Sequence, residues 1–176
     1  MKHAARRLSP AALALSGITA ALYVLFTVVP PFSALSFFAV QIRFSEALTV
    51  LPFLFPETAA GLVAGCLISN FFSPLILPLD LILGTAATAL GAVGTLSLRK
   101  CKNRRIARFF AGLPPLMCNT LIVPVIVCLS TPSEAFLPVY AASALSVGLG
   151  EAAAACGLGI PLILLLEKTA ARFNRF

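Results

Sequence analysis

VQIRFSEALTVLPFLFP, Val40 to Pro56, sets two opposite charges, Arg43 and Glu46, three residues apart at the mouth of an otherwise apolar run. Elsewhere the chain carries little charge. Of its 176 residues, 60% are hydrophobic and 11% are charged, where a soluble domain carries roughly a quarter charged residues. The composition is that of an integral membrane protein, in which a spanning helix needs about 20 mostly apolar residues. Runs of that kind lie at 11–29, 57–72, 79–98, 109–129 and 141–166. The segment from Ser45 to Phe55 is shorter. Counting it as a sixth crossing requires a tilt, a kink at Pro52 or a join to the next segment through Pro56.

The basic residues favour six. Short loops rich in Lys and Arg stay cytoplasmic, and six crossings put Lys2, Arg6 and Arg7, the loop 99–108, and Lys168, Arg172 and Arg175 on one side. Five crossings would leave one end outside. Twelve of the thirteen Lys and Arg then lie on the inner side, and Arg43 is the exception. The fold expected is all-α: one transmembrane domain over 1–176, six helices at 11–29, 45–55, 57–72, 79–98, 109–129 and 141–166, and both termini cytoplasmic. The formal charge of +7 reads as a topology signal beside anionic headgroups rather than as a nucleic-acid surface. The basic tail before the first run has no clean small-x-small cleavage site ahead of a soluble remainder, so that run is read as a retained helix.

An ionisable group inside a bilayer costs several kcal/mol unless it is paired or lines a polar cavity, which makes it a functional candidate. Arg43 and Glu46 fall at the outer start of the second helix, Asn70 near the outer end of the third and Asp80 at the outer start of the fourth. Asn119 lies near the middle of the fifth. Glu151 is about ten residues into the sixth, or about 15 Å at the helical rise. Glu57 and Glu167 sit at inner ends and Glu134 in an outer loop. This asymmetry suggests a pocket that opens outward. The structural alternative is that Arg43 and Glu46 pair and cap their own helix, with Ser45 or Asp80 as N-caps.

Glu151 stands in AASALSVGLGEAAAACGLG, where Gly148, Gly150 and the alanines leave room for close helices or for a ligand. Carboxylates so placed suit an amine or an amidine-like N–H edge. Helix one carries Ala12, Ser16 and Ala20 at spacings of four, a face for a partner protein or for packing within the bundle; Ala14, Gly17 and Ala21 offer a competing face. The five cysteines show no CxxC and read as packing residues, and His3 is in the basic tail. No metal or cofactor is expected. An intramembrane enzyme is disfavoured because the bundle contains no histidine and no Ser or Cys beside a base.

QIRFSEALTVLP, then ETAAGLVAGCLISNFF, LDLILGTAATAL, an embedded Asn119 and the pair Gly150–Glu151 together resemble the QueT family over roughly residues 11–166. The resemblance implies a substrate-binding S component of an energy-coupling factor (ECF) importer for queuosine precursors such as 7-aminomethyl-7-deazaguanine or queuine. It also implies a location in the bacterial plasma membrane. Implied partners are a transmembrane coupling protein and two cytoplasmic ABC-type ATPases; the chain has no G-x-x-x-x-G-K-[ST] motif of its own. Carried over as pocket residues are Arg43, Glu46, Asn70, Asp80, Asn119 and Glu151, with Phe37, Phe38 or Phe44 available to stack on a base. Ala12, Ser16 and Ala20 would meet the coupling protein. The competing reading within the class is an S component for another vitamin or purine-like solute.

Overall fold

The structure, a computed structural model, describes residues 9–31, 33, 43–72, 77–131 and 135–173. All regular structure among them is helical. Helix α1 (Pro10–Val28) starts at Ser9, whose hydroxyl accepts from the Ala12 amide at 3.1 Å, with Pro10 pre-set for the first turn. Phe44–Phe53 forms α2, a 3-10 helix containing Pro52, and Thr58–Asn70 forms α3. Helix α4 (Asp80–Leu98) opens with a π-helical turn, Asp80–Gly84, that follows a short turn at Leu77–Leu79. Next come α5 (Arg104–Phe109) and α6 (Leu113–Ser130). The last helix, α7, runs from Phe136 through a π-helical stretch, Ala152–Leu158, to Phe173.

Among the described residues, four stretches are long and apolar enough to cross a membrane: Pro10–Val28, Asp80–Leu98, Arg104–Ser130 and Phe136–Thr169. Helices α2 and α3 are shorter. Ten residues of 3-10 helix and 13 of α-helix each rise about 20 Å, against about 30 Å of hydrocarbon. The segment expected at 45–55 is therefore a distinct helix at Phe44–Phe53, too short for a full-length span even though its 3-10 winding draws it out beyond the length of an α-helix of the same residues. The last helix differs more from expectation. It begins at Phe136 rather than at 141, because Pro138 is tolerated in a first turn, and it continues past 166 to Phe173. The basic segment expected as a loop at 99–108 contains α5, started by Asn103, whose side chain accepts from the Ile106 amide at 3.3 Å.

Contacts fix the directions of the six apolar helices. Tyr23 meets Glu46 and Thr27 meets Ser45, so α1 and α2 are antiparallel. Gly61 abuts Ser16 and Gly65 abuts Ala20, so α1 and α3 are parallel. Gly91 and Gly94 of α4 face Pro115 and Pro114 of α6, and Asn119 of α6 meets Glu151 of α7 while Gly112 abuts Ala155. The helices thus alternate along the chain, and the first turn of α1 and the last turn of α7 share one end of the bundle. Glycine makes the tightest crossing: a Cβ on Gly61 would overlap the Ser16 carbonyl oxygen. Between apolar helices in lipid, such contact and hydrogen bonding replace the hydrophobic effect as the source of association.

At the basic end, α5 fills the space beneath the short α2. Ala107 and Ala111 pack with Val50, Phe53 and Ile163. The Arg104 guanidinium lies 5.6 Å from the centre of the Phe53 ring, and Arg108 pairs with Glu167 at 3.0 Å. Cation–π contact and an ion pair thereby fasten the basic segment to α2 and α7.

Candidate functional site

Helix α1 presents Thr19, Tyr23 and Thr27, its buried residues, to the interior at spacings of four. The Tyr23 hydroxyl donates to Glu46 Oε1, and the Thr27 hydroxyl donates to Ser45 at 2.8 Å. Glu46 is 1% exposed, turned inward by the tight 3-10 winding of α2. Its other oxygen, Oε2, accepts from Asn119 Nδ2 at 3.4 Å, and the same amide donates to Glu151 Oε1 at 2.7 Å. One amide group from α6 thus bridges carboxylates from α2 and α7. Glu151 Oε2 is buried with no hydrogen-bond partner among the described residues. Glu151 also lines a small cavity of about 10 Å³ with Arg43, Asn119, Val123 and Val147, room for about one water.

Asn70 and Asp80 form a second knot. Asn70 Nδ2 donates to the Asp80 backbone oxygen at 3.0 Å and lies 3.5 Å from Thr85 Oγ1. Thr88 Oγ1 donates to Cys66 Sγ at 3.1 Å. These bonds hold α3 against the π-helical opening of α4, where Gly84 leaves space: a Cβ there would sit 2.9 Å from both Asn70 Nδ2 and Asp80 Oδ1. Asp80 is 1% exposed, and its Oδ2 has no hydrogen-bond partner among the described residues. Arg43 lies within electrostatic reach of Asp80, Glu46 and Glu151, and so links the two knots. Among the described residues, the buried carboxylates of Glu46, Asp80 and Glu151 thus share the field of the Arg43 guanidinium.

All six polar positions singled out in the sequence thus belong to one connected interior region. Of the alternative that Arg43 and Glu46 pair and cap their own helix, the side-chain cap is not formed at α2 or at the opening of α4, while the two charges do lie within electrostatic reach of each other. Glu46 reaches across the bundle, and Ser45 bonds Thr27. Phe44 is half-buried; Phe37 and Phe38 lie outside the described residues. Ser16 and Ala20 turn toward α3, with the Ser16 hydroxyl donating to the Glu57 carbonyl at 2.5 Å. Two of the three residues of the Ala12–Ser16–Ala20 face thus meet α3, and Ala11, Ala14, Gly17 and Ala21 are small residues exposed on α1. Tyr23, Thr27 and Cys66 were not singled out from the sequence. The spacing of Thr19, Tyr23 and Thr27, one polar stripe on an otherwise apolar helix, is the signal that would have found the first two.

The profile of the family described as QueT transporter matches residues 13–168. The chain belongs to the QueT transporter family. The queuosine precursor transporter QueT of Lactococcus lactis subsp. cremoris (strain MG1363) is 43% identical over 56 residues, 32% of this chain and 33% of that protein. The chain is matched over about a third of that relative's length. No solved structure matches the chain. A carboxylate–amide–carboxylate bridge buried among helices apolar enough to cross a membrane is the most conspicuous polar feature of this QueT-family chain.

Proposed function

We propose that the chain is the substrate-binding S component of an ECF-type importer, and that it captures a 7-deazaguanine queuosine precursor between α2, α6 and α7. The observation that carries this reading is the Glu46–Asn119–Glu151 bridge with its open, buried Glu151 Oε2 beside Arg43. A deazaguanine offers a ring N–H next to an exocyclic amine, an edge that a carboxylate accepts with two charge-assisted bonds. Glu151 takes that edge, Arg43 donates to the carbonyl, and Glu46 is held in place by Tyr23 and Asn119. The excess of carboxylates over guanidinium suits an aminomethyl cation, for which Asp80 Oδ2 supplies a further acceptor.

A bicyclic base needs a pocket of a few hundred Å³, far more than the cavity at Val123 and Val147. Binding therefore parts α6 from α7 on the side away from the basic end, and the ligand fills the gap between them. In the bacterial plasma membrane, six crossings place the basic end in the cytoplasm and the pocket mouth outside. Energy comes from partner ATPases joined through a coupling protein. The name of the Lactococcus relative supports the substrate class.

Uptake of labelled 7-aminomethyl-7-deazaguanine by cells lacking queuosine synthesis tests this reading. Expression with the coupling protein and ATPases restores uptake, and Glu151→Gln or Arg43→Ala abolishes it. Undiminished uptake in both variants would contradict the assignment of the pocket.

A further inference from the structure

Between Asp80 and Glu134 the sequence contains no acidic residue, yet it contains Arg99, Lys100, Lys102, Arg104, Arg105 and Arg108. Glu167 of α7 reaches this group and pairs with Arg108. Three of the other cations, Arg99, Lys100 and Arg104, gather with Leu96 around an open hollow. Arg104 is steadied there by the Phe53 ring beneath it. The backbone amides of Arg99 and Lys100 bond the Leu96 and Ser97 carbonyls, so the end of α4 is closed and presents its side chains rather than bare carbonyl groups.

The same helix continues away from the hollow as an apolar outer face. Lys100, Ser97, Val93 and Leu90 are exposed in one stripe, with Val93 59% and Leu90 56% exposed. A cationic hollow at the foot of a lipid-facing apolar stripe matches the two halves of a phospholipid. We infer that this hollow holds the phosphodiester headgroup of an anionic phospholipid, with its acyl chains laid along Val93 and Leu90. Three cations in one hollow concentrate the attraction that a juxtamembrane basic residue otherwise exerts on the anionic leaflet singly.

Native mass spectrometry of the intact chain, released from mild detergent with phosphatidylglycerol or phosphatidylcholine added, reads this directly. The protein retains phosphatidylglycerol in preference to phosphatidylcholine. Arg99→Gln/Lys100→Gln/Arg104→Gln lowers the retained phosphatidylglycerol by about tenfold or more. Arg99→Lys/Arg104→Lys, which keeps the charge, retains it, as does Lys102→Gln/Arg105→Gln, whose side chains lie outside the hollow. Equal retention of the two lipids, or equal loss in the hollow and control variants, would overturn the site. So would displacement of the lipid by inorganic phosphate alone, or loss of a co-purifying protein from the triple variant while its lipid adducts persist.

Discussion

Glu151 and Glu46 carry similar chemistry but have different surroundings. Both oxygens of Glu46 are bonded, by Tyr23 and Asn119, whereas Glu151 keeps Oε2 open. On the proposed reading Glu151 is the charged acceptor for the ligand, and removing such an acceptor costs about 1.5–3 kcal/mol. Glu151→Gln is therefore expected to weaken binding by about 10- to 100-fold while leaving the thermal midpoint close to that of the wild type, as measured by calorimetry and by thermal unfolding in detergent. Tyr23→Phe leaves Glu46 Oε1 without its donor, so it is expected to lower the midpoint and to weaken binding less than Glu151→Gln does. Gly84→Ala forces a methyl group to within 2.9 Å of Asn70 and Asp80, and a lowered unfolding midpoint is the expected outcome. The sequence made the depth of these polar residues legible, because charge inside an apolar run stands out. It did not disclose their partners, since an Asn at mid-helix has equal reason to face any neighbour.

At the scale of elements, the shortness of α2 was readable from Pro52 and from the brevity of its apolar run. Its 3-10 winding and the two π-helical stretches were not, because no residue type prescribes them. Both π-helical stretches adjoin a site carboxylate: one starts at Asp80 and the other follows Glu151. Such irregularities recur at functional sites because they re-aim a side chain without breaking the helix. The small-residue face of α1 shows a further limit of sequence reading. A stripe of small residues announces a close neighbour but not which one, and in this fold Ser16 and Ala20 meet Gly61 and Gly65. Gly61→Leu would push α1 from α3, since even a Cβ meets the Ser16 carbonyl oxygen. A marked drop in unfolding midpoint and in the yield of monodisperse protein is expected, whereas Gly17→Leu, with nothing within 4 Å of its Cβ position, leaves both near wild type. A Gly61→Leu chain as stable as the parent would show that the α1–α3 crossing is not tight.

Over the whole molecule, alternating helices bring the three faces that make the bridge to one place: α2 supplies Glu46, α6 supplies Asn119 and α7 supplies Glu151. The basic end is fastened separately by Arg104 on Phe53 and by Arg108 with Glu167. The composition and the basic segments were enough to predict an all-helical membrane bundle. The uneven helix lengths emerge only from packing, which lets α5 take the volume that a shorter α2 leaves. On the proposed reading, this bundle binds a deazaguanine through Glu151. The most direct test is calorimetric titration of the purified chain and of Glu151→Gln with 7-aminomethyl-7-deazaguanine, with guanine, riboflavin and thiamine as competitors. Saturable binding of the deazaguanine by the wild type, weakened in the variant, is the expected result. Equal binding by both proteins, or binding of riboflavin or thiamine in its place, would contradict it.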